Sequence, residues 1–283
     1  MPMMLSKPFG PEPTILINGV HIPIRYSFDG LRRFIEPAFF YTKGNEKAGI
    51  PDSITAVGTC LKFRYRRRYF RVTCKHVATN LGFNFDAFAH NWFDLDTAKW
   101  TLSLASHIYG QHHIASLVDS PGDDCLMAVF DDIPSGAKQN FLDVDDAFFM
   151  SEETQRQAST ISNVNIGYPT SFVTPIESKD GDIYSIIGWD LKKHSQMFAH
   201  YVDRDSFDDN FHIPMNIIGG FGDIDPDGLS GSPMFHVYRQ NNNFNVGLNG
   251  IVSTANRNSG RINLFPARAM KIRIDNLFDP LDI

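Results

Sequence analysis

The sequence predicts an all-β fold, a barrel or a sandwich, on three observations. Short runs rich in Val, Ile, Phe, Tyr and Thr recur along the chain between clusters of Gly, Pro, Asn and Asp. Two hairpin signals stand in its first quarter. Convincing helical periodicity is confined to one segment near the C-terminus.

The elements follow in order. TILINGVHIPIRYSF places Asn18-Gly19 between apolar runs, a pair that tolerates the left-handed backbone of a tight hairpin, and predicts a ribbon of its own. LKFRYRRRYFRVTCKHV reads as a second hairpin with Arg66, Arg67 and Arg68 at its tip. There Phe70, Val72 and Cys74 face inward, Arg71, Thr73 and Lys75 alternate against them, and the inward face ends at His76. Residues 80–120 read as aromatic-rich loops with two short strands in WTLSLASHIYGQHHIASLVD. CLMAVF, between Asp123-Asp124 and Asp131-Asp132, has the form of a buried strand. VNIGYPTSFV, DIYSIIGWDL, SPMFHVY and NVGLNGIVSTA supply further strands. PARAMKIRIDNLF predicts a closing helix, with Pro266 at its first turn and Ala267, Met270, Ile274 and Leu277 along one stripe.

A chain of 283 residues with 42% hydrophobic content can bury a large core, as one domain or two packed halves. A net charge of −6 argues against nucleic acid as the main ligand, because phosphate binding needs a basic surface. RYRRRYFR is read as an exposed hairpin tip. The segment MPMMLSKPFGPEP lacks a secretory pattern and no run of about 18 apolar residues follows, so the expectation is a cytoplasmic protein with no membrane partner. Cys60, Cys74 and Cys125 are too few for a disulfide framework and lack zinc spacing, so buried free thiols are expected and no metal. His107, His112 and His113 have no helical spacing or matching carboxylate and are read as surface or core histidines. DIDPDG at 223–228 copies the start of a calcium loop, but Met234 stands at the twelfth position where Glu is needed.

Chemistry concentrates in DGLSGSPMF, residues 227–235. A serine on a tight turn flanked by glycines suits acyl transfer, where backbone must approach the scissile carbonyl and two N–H groups must converge on the oxyanion. Gly228 and Ser230 can supply those amides. A serine hydroxyl also needs a histidine base held in one tautomer by a carboxylate. The Gly-x-Ser-x-Gly elbow of the α/β-hydrolases is not met, and His236 stands too close to Ser230 to serve as their late histidine.

Three separated motifs resemble the trypsin-like, chymotrypsin-fold serine peptidases, in particular their intracellular bacterial-type members without disulfides. Val72-Thr73-Cys74-Lys75-His76-Val77 is similar to the segment around that family's catalytic histidine, Asp124-Cys125-Leu126-Met127-Ala128-Val129 to its aspartate and apolar strand, and Gly228-Leu229-Ser230-Gly231-Ser232-Pro233 to its nucleophile loop. The order His, Asp, Ser agrees with the family. Val57-Gly58-Thr59, Ile166-Gly167-Tyr168-Pro169 and Gly250-Ile251-Val252-Ser253 extend the resemblance across about residues 54–278. Leu229 stands where zymogen-activated members carry the aspartate that receives a freed N-terminus, so that switch is not expected here.

The resemblance implies two six-stranded antiparallel β-barrels, 54–153 holding His76 and Asp124 and 154–283 holding Ser230 and the closing helix, preceded by a β-hairpin extension, 1–53. It implies a cofactor-free serine endopeptidase acting on a protein or peptide substrate, with His76, Asp124 and Ser230 catalytic and the Gly228 and Ser230 amides as oxyanion donors. Asp223, Ile224 and Asp225 are expected at the floor of the primary pocket, and Ser253, Thr254 and Ala255 on its wall. Counting back from Ser230 gives Ile224 the floor, but a small change of loop length exchanges it with Asp225, so a preference for basic residues stays open. A regulatory partner or an oligomer also stays open, as does a second function: a latent or inactive peptidase fold that binds peptides or proteins.

Overall fold

The computed structural model describes residues 12–42, 53–79, 91–92, 103–104, 112–116, 124–130, 133, 135–149, 159–180, 183–191, 195–202, 212–240 and 243–277. The N-terminal part comprises β1 (Thr14–Ile17), β2 (Val20–Pro23), α1 (Ser27–Arg32), β3 (Ile35–Thr42), β4 (Ser53–Tyr65), β5 (Arg68–Thr73) and α2 (Lys75–Thr79). It continues through β6 (Asn91–Trp92), β7 (Ser103–Leu104), β8 (His112–Ser116), β9 (Leu126–Phe130), α3 (Ser135–Lys138) and β10 (Leu142–Asp143). The C-terminal part comprises β11 (Ser159–Gly167), β12 (Val173–Asp180), β13 (Ile183–Leu191), β14 (Ser195–Tyr201), β15 (Ile213–Ile217), β16 (Pro233–Gln240), β17 (Asn243–Asn256), β18 (Arg261–Pro266) and α4 (Ala267–Leu277).

The C-terminal part closes into a six-stranded antiparallel barrel, in the order β16-β11-β14-β15-β18-β17, because β16 also pairs with β17. Met197, Met215, Leu229, Met234, Val252 and Leu264 fill it. The other large sheet runs β10-β4-β5-β9-β8 with β3 on β4, and no pairing among the described residues closes it. The expectation of two closed barrels is thus met by one barrel and one open sheet. A second apolar core joins them: Leu61, Phe63, Phe70 and Val72 share one cluster with Val164, Phe235, Val237 and Leu248. Among the described residues no helix is long and apolar enough to cross a membrane.

Both hairpins form where the sequence places them. Asn18 and Gly19 have φ of +48° and +78°, the paired left-handed residues of a two-residue hairpin turn. The ribbon does not stand alone. Ile15 pairs in parallel with Phe244 of β17, and Asn18 donates to the Phe141 carbonyl and accepts from the Asp143 amide, tying barrel to sheet. At the second tip Arg66 and Arg67 take the left-handed conformation, while Arg68 already begins β5. Residues 35–42, grouped by sequence with the N-terminal extension, form β3 of the open sheet.

The outward face expected of β5 is not outward. Arg71 and Thr73 are fully buried: Arg71 faces Glu36 of β3, and Thr73 lies against Thr59 and the loop at Gly231. Arg71 reaches Glu36 at 2.6 Å and Lys62 reaches the same carboxylate at 2.8 Å, all three side chains buried. The closing helix is present: Ala267, Met270 and Ile274 are fully buried along one stripe, while Pro266 ends β18 just before it and the side chain of Leu277 lies outside the described residues.

Candidate active site

The loop at residues 226–232 is two consecutive tight turns. The Leu229 amide donates to the Pro226 carbonyl at 3.0 Å and the Ser232 amide to the Leu229 carbonyl at 2.8 Å, each closing a four-residue turn. Gly228 and Gly231 occupy the third positions with φ of +92° and +86°, which a turn of this type demands. Space gives a second reason. A Cβ on Gly231 would lie 2.2 Å from the Thr59 carbonyl oxygen, and one on Gly228 would lie 2.5 Å from the Thr170 amide nitrogen.

The open sheet and the barrel hold this loop between them. The Thr59 amide donates to the Ser230 carbonyl at 2.8 Å, and its hydroxyl donates to the Gly228 carbonyl at 2.9 Å while accepting from the Tyr168 amide. Thr73 donates to the Thr59 carbonyl. From the barrel, the Gly231 amide donates to Val252, the Val252 amide donates to Ser232, and the Asn165 side-chain amide donates to Ser232 Oγ and the Pro233 carbonyl. With the Ser230 and Gly228 carbonyls turned onto Thr59, neither the Gly228 nor the Ser230 amide has an acceptor among the described residues.

Beside Ser230 lie the other two residues expected from sequence. β5 ends at Thr73 and the one-turn helix α2 follows, so His76 projects from a helical turn rather than a strand end. Its Nε2 lies 2.9 Å from Ser230 Oγ, and its Nδ1 lies 2.6 Å from Asp124 Oδ2. The His76 backbone N–H donates to the other oxygen, Oδ1, at 2.9 Å. Asp124 immediately precedes Cys125 and β9, whose pairing with β5 brings residues 48 positions apart into contact. Burial raises the Asp124 pKa, but the ring and backbone N–H donors of His76 outweigh it and hold the carboxyl below its usual value. The three side chains form one hydrogen-bonded chain across the boundary between sheet and barrel.

The expected pocket residues divide. Ile224 and Ala255 are partly buried against the barrel core, and Ser253 is buried with its hydroxyl donating to the Asn263 carbonyl. Asp223 and Thr254 are exposed, and Thr254 Oγ1 accepts from Asn263. Asp225 turns back on its own loop: it accepts the Asp227 amide at 3.1 Å and approaches Arg257 at 4.0 Å.

Cys74, His76 and Asp124 bring a sulfur, a ring nitrogen and a carboxylate oxygen within 4.8 Å of one another, a set that zinc could use by chemistry. The spacing does not suit it. Two ligands of one tetrahedral zinc, each about 2.0–2.2 Å from the ion, stand roughly 3.3 Å apart, whereas Nδ1 and Oδ2 stand at hydrogen-bonding distance, 2.6 Å. All three cysteines are free and buried. His107 lies outside the described residues, as do the side chains of His112 and His113.

Thr59, Thr73 and Asn165 are supports that were not singled out from sequence. Thr59 and Thr73 stood inside the quoted motifs without any pattern to separate a structural hydroxyl from a β-propensity threonine. Asn165 carried a usable signal, an amide in the middle of an apolar strand run. No protein-family model matches this sequence, and no curated protein matches it.

Proposed function

We propose that the protein is a serine endopeptidase of chymotrypsin-like type, with Ser230 as nucleophile, His76 as general base and acid, and Asp124 as the carboxylate that orients the ring. The observation that carries this reading is the unbroken chain Asp124–His76–Ser230, at 2.6 and 2.9 Å. In the reaction, Ser230 Oγ attacks the scissile carbonyl as its proton passes to His76 Nε2. The amides of Gly228 and Ser230 receive the oxyanion, each such donor contributing about 3 kcal/mol to the transition state. His76 then protonates the leaving amine, and water releases the acyl group by the same path in reverse. The partner is a protein or peptide substrate, with no cofactor in the cycle. Three buried free thiols accord with a reducing, cytoplasmic setting.

Ile224, packed toward the barrel core, supports apolar over basic side chains, and Asp225 already accepts the Asp227 amide; the exposed Asp223 is the carboxylate through which a basic preference would act. Assay of the purified chain against a peptide library tests both points. Cleavage after large apolar residues, lost by about 10⁴-fold or more in Ser230→Ala, is expected. Cleavage that survives in Ser230→Ala would overturn the assignment, and peptide binding without cleavage would favour the binding-module reading.

A further inference from the structure

A cleft of about 450 Å³ opens between the N-terminal ribbon, the segment around β10 and the hairpin of β16 and β17, a volume typical of small-ligand sites. Leu16 and Ile17 of the ribbon, Leu142, Phe148 and Val246 give it apolar walls. Tyr238 also lines it with only 3% of its surface exposed, and among the described residues no hydrogen bond meets its hydroxyl. A buried tyrosine hydroxyl ordinarily has a partner. Two carboxylates stand in the same wall, Asp143 and Asp145. Asp143 reaches Arg64 at 3.2 Å, and Asp145 Oδ1 accepts the amides of Ala147 and Phe148 at 3.0 and 3.2 Å. Asp145 Oδ2 has no partner among the described residues. Burial, and then the charge of Asp145, raise the Tyr238 pKa, so the phenol stays protonated near that carboxylate. The cleft is remote from Ser230: Pro233 begins β16 beside the loop at 226–232, and Tyr238 stands five residues further along the strand, roughly 17 Å away.

We propose that this cleft is a second binding site, for an organic cation on an aliphatic stem, an alkylguanidinium or alkylammonium, with the stem against Leu16, Leu142 and Val246 and the head between Asp145 and Tyr238. Asp145 Oδ2 accepts a charge-assisted N–H bond, and the Tyr238 oxygen accepts another. Other ligand classes fit the residues less well. A calcium ion takes six to eight oxygens, whereas Asp143, Asn18 and one oxygen of Asp145 are already engaged. An anion meets two carboxylates in a chain of net charge −6. A wholly apolar ligand strips water from Asp145 and the Tyr238 hydroxyl and gives them nothing in return. The site stands apart from the Asp124–His76–Ser230 chain, and its occupancy does not depend on what that chain does.

The test titrates the isotope-labelled full chain with three probes of one stem, n-butylguanidinium, n-butanol and butyrate, and follows the amide resonances of Gly19, Ala147 and Asn245. The cation moves these resonances saturably, and the alcohol and the anion do not. Asp145→Asn keeps an oxygen for the Ala147 and Phe148 amides but removes the charge, and weakens the cation about tenfold, the loss of one hydrogen bond to a charged group. Tyr238→Phe removes only the hydroxyl and weakens binding several-fold, an independent check should the first variant fold poorly. A blocked peptide, acetyl-Ala-Arg-Ala-amide, set beside its norleucine counterpart identifies the source. Binding of the arginine peptide at least as tight as that of the free cation makes the ligand a side chain of a protein partner, and binding of the free cation alone makes it a small amine or guanidine. Resonances that never saturate would overturn the proposal, as would n-butanol binding as tightly as the cation or an affinity unchanged in both variants.

Discussion

Asp124 is partly buried, which raises its pKa, yet two N–H donors from His76 hold it below the usual value of 3.8. Because the folded pKa is depressed, the stability this carboxylate adds is complete above its unfolded pKa and is lost as the pH falls through the folded one. Asp124→Asn therefore flattens the fall of unfolding free energy between about pH 5 and pH 2, measured by urea titration. A variant with an unchanged slope would mean that another group carries it. The same substitution presents His76 Nδ1 with an amide, which favours the wrong tautomer, and reduces turnover by about 10⁴-fold. Cys60, whose thiol burial pushes up to about 12, has no such part to play.

At the scale of elements, the paired turns at 226–232 carry the site. Gly231→Ala has no room for its Cβ, which meets the Thr59 carbonyl at 2.2 Å and Thr73 Oγ1 at 2.4 Å, and no favourable φ at +86°. Relief requires the loop to move off Thr59, so labelling at Ser230 falls by at least about 100-fold while the midpoint drops by several degrees. A fully active Gly231→Ala would show that the loop geometry is not needed. This loop was legible in the sequence because a serine between two glycines, ahead of Ser-Pro and an apolar run, marks a tight turn that side chains would obstruct. The clamp around it was not. A hydroxyl on a strand reads as β-propensity, and only the fold shows that Thr59 joins Ser230, Gly228 and Tyr168.

Among the described residues the molecule is a closed barrel and a sheet that no pairing closes, held together by a shared core, an N-terminal ribbon and a C-terminal helix. The helix is tethered by charge as well: Lys271 bonds Asp275 at 2.6 Å and Asp146 at 3.2 Å, and Arg66 of the hairpin tip reaches Asp275 at 3.2 Å. Under the sheet, Glu36 answers two buried cations, Lys62 and Arg71. Glu36→Gln removes the carboxylate that both cations reach and costs about 3–5 kcal/mol, read as a lower denaturant midpoint at an unchanged m-value. A loss below about 1 kcal/mol would mean that water reaches the cluster. Period-two alternation set Arg71 on the face opposite Phe70 and Val72. Alternation separates two faces of a strand but cannot say that the second is covered as well, as it is here, where Arg71 is fully buried against Glu36. The closed barrel was reached by resemblance, not by pattern, since its closing pair, β16 with β17, looks like any other hairpin in sequence.

The central claim is that Ser230 is an activated nucleophile. Fluorophosphonate treatment of the purified chain, with the adduct mapped by mass spectrometry, tests it most directly. The account predicts a single adduct on Ser230, abolished in Ser230→Ala and in His76→Ala. An unlabelled Ser230 in folded protein, or labelling that persists without His76, would contradict it.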